Sequence, residues 1–156
     1  MLGGHDNVVE ASECRDDLCA IRIADSAGAR IEGNRYETRW FGVHLEGATN
    51  ARVRRNQAWH TMRAVSIERS AHALVEKNLA EHCDTGALVE RDASGTRIVD
   101  NWFHDCRVGI VCWNDRETTI DANAISAPRD HAIVTNAPVE ITNTNELGGD
   151  VWRAPA

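Results

Sequence analysis

Apolar and polar residues alternate along the chain in a pattern that repeats about every 22 residues. Repeating units begin at Ala20, Gly42, Ala64, Gly86 and Gly109, and a degenerate unit begins at His131. Two apolar columns open these units: Ile21, Val43, Val65, Ala87, Ile110 and Ala132, and two residues later Ile23, Leu45, Ile67, Val89, Cys112 and Val134. A spacing of two residues is that of a β-strand with one buried face, so each unit is predicted to begin with a strand.

Two further columns and an asparagine complete each unit. The third column is Val9, Ile31, Val53, Val75, Ile98 and Ile120, and the fourth is Cys14, Tyr36, Ala58, Ala80, Phe103 and Ile125. Between them lie Asn34, Asn56, Asn78, Asn101 and Asn123. Asparagine tolerates the left-handed backbone of a sharp corner, and stacked amides can hydrogen-bond to one another. We therefore expect the asparagines to form the corners and to bond from coil to coil.

The repeat resembles that of the right-handed parallel β-helix proteins of the pectate-lyase-like superfamily. It begins Gly-(Ile/Val)-x-(Leu/Ile/Val), passes through a polar turn and reaches (Ile/Val)-x-x-Asn. The resemblance implies an all-β solenoid of six to seven coils, with residues 1–156 forming one domain or a piece of a longer solenoid. Residues 146–156 are interpreted as a C-terminal tail or cap. A leucine-rich repeat fits less well, because the apolar columns contain Ile, Val and Ala rather than Leu.

Charge and hydropathy narrow the range of partners. The chain has 156 residues, 42% of them hydrophobic, and a net charge of −7. A negative chain without a basic patch argues against nucleic acid and against an anionic membrane as partners. The chain contains neither a membrane-length apolar run nor a signal-peptide pattern. This indicates a cytoplasmic protein, or a secreted or cell-surface one if the chain is a fragment.

Outward positions of the opening strands carry a column of carboxylates, here called the glutamate column: Glu46, Glu68 and Glu90. Stacked like charges raise one another's pKa, so the column is a candidate for contacting substrate, for holding a divalent cation or for acting as an acid/base pair. The alternative is neutralisation at the surface by Arg69 and Arg91, each of which follows one of these glutamates.

A second group, here called the histidine ridge, follows the asparagines: His60, His82, His104 and Asp105. Imidazole titrates near neutrality and binds metals, so these residues are the candidate catalytic groups. Trp59 and Trp102 are close enough in register to offer aromatic faces to a sugar. The alternative is that a turn accepts His and Asp for local reasons alone.

The superfamily includes polysaccharide lyases, glycosidases, uronan epimerases, phage tailspikes and a copper-chaperone-like periplasmic protein, so the resemblance specifies the fold more sharply than the function. We expect a carbohydrate ligand, as for its polysaccharide-modifying members. In a lyase-like or epimerase-like reaction, a ridge histidine would remove a proton beside a uronate carboxylate that Arg63 or Arg107 neutralises. The Asp-Pro-His-Asp motif of the epimerases and the clustered aspartates of the pectinolytic glycosidases are missing. A non-catalytic structural or binding module is therefore the alternative.

The N-terminal half unit has little sequence to cover its open end. An uncovered solenoid end exposes apolar columns and strand edges. We therefore expect the N-terminal end to pack against another chain or a neighbouring domain.

Overall fold

Short strands separated by tight corners wind into three parallel sheets. The computed structural model describes residues 2–113 and 116–155. The first sheet contains, in spatial order, β1 (Leu2–His5), β4 (Cys19–Ala27), β7 (Phe41–Glu46), β10 (Arg63–Glu68), β13 (Thr85–Glu90), β16 (Val108–Trp113), β19 (His131–Thr135) and β22 (Val151–Arg153).

The other two sheets are built from the shorter strands of each coil. The second sheet contains β2 (Val8–Glu10), β5 (Arg30–Glu32), β8 (Arg52–Arg54), β11 (Leu74–Glu76), β14 (Arg97–Val99), β17 (Thr119–Asp121) and β20 (Glu140–Ile141). The third sheet contains β3 (Glu13–Arg15), β6 (Arg35–Glu37), β9 (Gln57–Trp59), β12 (Leu79–Glu81), β15 (Trp102–His104), β18 (Ala124–Ser126) and β21 (Glu146–Leu147). Each strand pairs in parallel with the equivalent strand of the next coil, which confirms the predicted β-helix.

The apolar columns of the sequence stack as predicted through most of the rod. Ile67 pairs with Leu45 on one side and with Val89 on the other, and all three side chains are fully buried. Because adjacent parallel strands lie about 4.8 Å apart, equivalent side chains of successive coils touch along the whole interior. The core is therefore a set of continuous apolar columns rather than one central cluster.

Glycine occurs in the opening strand where a large side chain fills the interior. A Cβ on Gly86 would lie 2.7 Å from the ring of Phe103, and one on Gly42 would lie 2.4 Å from the ring of Tyr36. The equivalent position in the coil between them is Ala64. At Gly42 and Gly86 the missing side chain thus leaves room for an aromatic ring in the interior.

The asparagines form the predicted ladder. The side chain of Asn78, for example, donates to the carbonyl of Val53 at 2.9 Å and to Oδ1 of Asn101 at 3.0 Å. Its own Oδ1 accepts from the backbone and side-chain nitrogens of Asn56, both at 3.0 Å. Asn145, which the sequence reasoning did not include, continues the ladder beyond Asn123.

The predicted corner conformation of the asparagines was wrong. The left-handed residue is the one before each asparagine; Arg55, Lys77 and Asp100 have φ angles of 54°, 55° and 57°. The corner residue points outwards, so the following asparagine can turn its amide into the interior. The buried amide of the asparagine then forms hydrogen bonds with backbone groups of the neighbouring coils.

The register predicted for the unit beginning at His131 was also wrong by one residue. Ile110 pairs with Ile133 rather than with Ala132, and Cys112 pairs with Thr135 rather than with Val134. A run of four residues without strict alternation fits either register, and a slip of one residue exchanges the two faces. Thr135 can face inwards because its hydroxyl donates to the Ala137 carbonyl at 3.1 Å and accepts from the Ala137 amide at 2.9 Å.

The last described residues continue the solenoid. In the segment 146–156, β21 pairs with β18 and β22 pairs with β19, so both strands extend existing sheets. No helix in the described part of the chain is long and apolar enough to cross a membrane.

Cys14 and Cys19 both occur as free thiols. Burial, together with a hydrogen bond to the Asp17 carboxylate, raises the pKa of Cys14 to about 11.

Substitution of Asn78 by alanine tests the ladder. The change leaves the Val53 carbonyl and the Asn56 amide buried without their partners, so we expect the free energy of unfolding to fall by about 2–4 kcal/mol. The measurement is urea denaturation followed by circular dichroism. The control is Asn143→Ala at an exposed asparagine, which we expect to change stability by less than about 0.5 kcal/mol. Equal effects of the two substitutions would contradict the role of the ladder.

Candidate functional site

The structure brings the residues of the histidine ridge together at the corner between the third and first sheets. His60 and His82 adopt left-handed φ angles of 49° and 54°, and Asp105 has one of 47°. The rings of His60 and His82 stack with centroids 5.4 Å apart and an interplanar angle of 10°. His104 presents its ring edge-on to His82 at 6.4 Å.

Each ridge histidine also uses its Nδ1 atom to contact a neighbouring coil. The contacts are His60 to Glu37 Oε1 at 2.9 Å, His82 to Asp105 Oδ2 at 2.6 Å, and His104 to Ser126 Oγ at 2.8 Å. The other carboxylate oxygen of Asp105 lies 3.5 Å from Arg129 Nε. The ridge therefore links successive coils, which is a structural role that its residues perform whether or not they act on a ligand.

The chemistry available on the ridge is that of a carboxylate-oriented imidazole. Asp105 fixes the ring of His82, as an orienting acid does for a general base. Within the described residues, no set of three histidine, cysteine or acidic side chains is arranged to hold a metal ion. The geometry of the ridge is thus compatible with proton transfer by His82. It does not support the binding site for a divalent cation that was considered from the sequence.

The two tryptophans predicted beside the ridge differ in availability. Trp59 is half-buried, and its Nε1 donates to Glu81 Oε2 at 2.9 Å. Trp102 is 46% exposed, and its ring centroid lies 5.9 Å from that of His104. Only Trp102 presents a large free face next to the ridge.

The arginines predicted to neutralise a substrate carboxylate are both engaged. Arg63 lies over the ring of Phe41, 5.5 Å from its centroid, and its Nη1 is 3.6 Å from Glu90. Arg107 donates through Nε to Asp84 at 2.7 Å and through Nη1 to Asp130 at 3.1 Å. A substrate carboxylate would have to compete with these partners.

The glutamate column stacks in register on the outer face of the first sheet. Glu68 pairs with Glu46 on one side and with Glu90 on the other. Arginines surround the column: Arg22 and Arg69 contact Glu46, Arg91 contacts Glu68 at 3.1 Å, and Arg63 contacts Glu90. Arg69 and Arg91 each reach one coil back, so charge pairing accounts for carboxylates at this spacing.

His44 lies against the buried carboxylate of Glu68. Its Nε2 is 3.4 Å from Glu68 Oε1, and the two side chains are only 12% and 8% exposed. Burial lowers the pKa of His44 below its usual value, although Glu68 opposes the shift. His44 is therefore mainly neutral at neutral pH, and it packs with Glu68 at the centre of the outer face of the first sheet.

An open groove lies on the same face towards the C-terminal coils, and we call it the tryptophan groove. Its volume is about 340 Å³, and its lining residues are Arg107, Val108, Val111, Trp113, Asp130, His131, Val134 and Trp152. Val111 and Val134 are paired neighbours that point outwards and form an apolar floor. Trp113 and Trp152 are 36% and 40% exposed, so each leaves part of its indole free.

Charged groups form one wall of the tryptophan groove. His131 contacts Asp150 Oδ1 through Nδ1 at 2.8 Å and Asp130 Oδ1 through Nε2 at 3.2 Å. The hydrogen bond to Asp150 raises the pKa of His131 and lowers that of Asp150. The His131 ring also stacks on Trp152, with centroids 6.2 Å apart.

A second apolar hollow lies at the other end of the face, lined by Leu18, Cys19, Arg22, Trp40, Phe41 and His44. Its two polar side chains, Arg22 and His44, are turned towards the glutamate column, since Arg22 contacts Glu46 and His44 contacts Glu68. The tryptophan groove therefore has the better combination of apolar floor, aromatic walls and polar rim.

Sequence reasoning missed most of the tryptophan groove. It named Arg107 but assigned Val134 to the interior because of the one-residue register error. A usable signal was present, since the column that begins with Arg22, His44 and Ser66 continues with the apolar residues Leu88 and Val111, and Val134 follows them.

Comparison with known proteins agrees with this architecture. The family described as "right handed beta helix region" matches residues 1–125, and the chain belongs to this family. No match to the chain was found among curated proteins. The matched range covers the coils of the histidine ridge and the glutamate column, whereas Asp130, His131, Val134 and Trp152 of the tryptophan groove lie beyond it.

The titrations of His44 and His131 test the electrostatics of this face. NMR titration of the imidazole protons should give His44 a pKa below the ordinary 6.5 and His131 a pKa above it.

The two histidines should also affect stability in opposite ways as the pH changes. As the pH falls below about 6.5, the unfolded chain takes up a proton that folded His44 resists, so His44 lowers the free energy of unfolding there. His131 acts in the opposite sense, because its stabilising contribution is present at low pH and is lost as the pH rises through its folded pKa. The reverse order of the two pKa values would contradict the described contacts.

Proposed function

We propose that the protein is a non-catalytic carbohydrate-binding β-helix whose ligand lies in the tryptophan groove. The observation that carries the proposal is the pair of partly exposed indoles, Trp113 and Trp152, beside the apolar floor of Val111 and Val134. Small-molecule sites typically combine apolar and aromatic lining with a few polar groups that fix orientation.

A sugar ring matches this lining in two ways. Its C–H faces pack on aromatic and aliphatic surfaces, as the indoles and the valine floor provide. Its hydroxyl groups can donate hydrogen bonds, and the partly exposed carboxylate of Asp130 supplies acceptor positions along the rim. The groove is open, so a saccharide chain can lie across it.

A binding role is favoured over catalysis on this face. Glu68 and Glu90 each contact an arginine, and Arg107 is held by two aspartates. Groups engaged in coil-to-coil pairs stabilise the rod but are poorly placed to exchange protons with a ligand. This favours the module interpretation of the sequence, with a carbohydrate as the partner.

Replacement of the groove tryptophans tests the proposal. A glycan array on the wild type first identifies a binding oligosaccharide, whose affinity is then measured by isothermal titration calorimetry. We expect Trp113→Ala and Trp152→Ala each to weaken that affinity by about tenfold or more, since aromatic anchors dominate such contacts.

The matched control is Trp102→Ala, because Trp102 is similarly exposed but lies on the third sheet. This control should keep the wild-type affinity. Equal losses in all three variants, or no loss in either groove variant, would reject the groove as the ligand site.

A second candidate function is proton abstraction from a uronate-containing polysaccharide by the histidine ridge. The specific observation in its favour is the 2.6 Å contact between His82 Nδ1 and Asp105 Oδ2, which orients the imidazole. Under this alternative, Trp102 would provide the adjoining aromatic surface.

A degradation screen against polyuronates separates this candidate from the binding proposal. If the ridge acts as a base, His82→Ala should reduce the release of unsaturated products by about a hundredfold or more, since general-base catalysis contributes on that order. The control is His72→Ala, at an exposed histidine outside the ridge. A wild-type protein without activity, or a His82→Ala variant with full activity, would remove the catalytic candidate.

A further inference from the structure

We infer that the tryptophan groove selects a glycan that carries amino groups and disfavours a polyuronate. This inference rests on the proposed function and specifies the chemical class of its ligand. The preference follows from the net charge around the groove. Asp84 and Asp150 contact the lining residues Arg107 and His131, so this net charge is more negative than the lining residues alone indicate.

Arg107 is the only lining arginine among the residues that the structure describes. Its Nε and Nη2 atoms donate to the two oxygens of Asp84 at 2.7 and 3.3 Å, and its Nη1 donates to Asp130 at 3.1 Å. A bidentate pair of this kind is among the stronger side-chain interactions. A uronate carboxylate would therefore have to displace an aspartate in order to bind Arg107.

His131 lies between Asp130 and Asp150. Both of its nitrogens are directed at carboxylates, so even the protonated ring offers its charge to groups already present. Its stacking on Trp152 places this arrangement at the edge of the ligand surface.

Carboxylates outnumber cations along this wall of the groove. Asp84, Asp130 and Asp150 are three carboxylates, whereas Arg107 and a protonated His131 are two cations. Arg129 also acts on Asp84, but its Nε lies 3.5 Å from the carboxylate of Asp105, so this further pair leaves the balance unchanged. The pKa of Asp84 is lowered by Arg107 and that of Asp150 by His131, so both stay ionised in mildly acidic solution. The wall is thus negative in either protonation state of His131.

The carboxylates of this wall can accept further hydrogen bonds. A carboxylate has about four acceptor positions, and the carboxylate side chains of Asp130 and Asp150 are 46% and 66% exposed. An ammonium group on a sugar can donate to these positions without breaking the existing contacts. A uronate would instead add a carboxylate to a wall that is already negative.

The test compares three oligosaccharides of equal length: a β-linked glucosamine oligomer, its fully N-acetylated form and an oligogalacturonate. Titration calorimetry is done in mildly acidic buffer at low salt, where the amines are charged. We expect the glucosamine oligomer to bind about threefold or more tightly than the acetylated form, and the oligogalacturonate to bind most weakly. Added salt should weaken binding of the glucosamine oligomer but not of the acetylated one.

The double variant Asp130→Asn/Asp150→Asn should bind the amino and acetylated forms equally. The control Asp100→Asn changes an exposed aspartate that lies 3.8 Å from Lys77, away from the groove, and should keep the preference. Thermal unfolding confirms that each variant is folded.

The outcomes separate this inference from the proposed function. Equal binding of the amino and acetylated forms by the wild type, with both lost in Trp113→Ala, would overturn the amino preference and leave the groove as a sugar site. Tightest binding of the oligogalacturonate would also overturn the preference. Failure of all three to bind at the groove would reject the proposed function and this inference together.

Discussion

Register between successive coils is the constraint on which the rest of the structure depends. Each backbone amide and carbonyl of a strand bonds to the coil above or below, and the asparagine amides add a buried side-chain ladder between the same coils. Because the strands of one coil pair with strands of adjacent coils and not with one another, the stability of the solenoid comes from these contacts between coils. Residues one repeat apart therefore share one environment, which explains why each column keeps its chemistry.

The same register creates an electrostatic difficulty on the outer surface. Like charges in one column lie about 5 Å apart and repel one another. The protein relieves this by pairing across columns, as when Arg91 reaches back to Glu68, or by alternating signs within one column, as in Asp84, Arg107 and Asp130. Many charged groups that look functional in the sequence thus serve the stacking of coils.

A ligand surface on such a rod is most readily recognised where a column changes its character. The outward column that passes through Arg22, His44 and Ser66 becomes apolar at Leu88, continues through Val111 and Val134, and reaches Trp152. This change opens the tryptophan groove. One fold can carry many different functions, so function is argued from such local departures rather than from the fold.

The sequence by itself determined the coil, the repeat length, the apolar columns and the asparagine ladder, because these depend on side-chain periodicity alone. It did not determine which residue takes the left-handed corner, nor the register at His131, since a run such as His-Ala-Ile-Val-Thr satisfies two alternations equally. Only the tertiary structure decided which charges pair between coils and that Val134 faces outwards beside Trp152. Those outcomes depend on contacts between residues of different coils, and a one-residue shift reverses them.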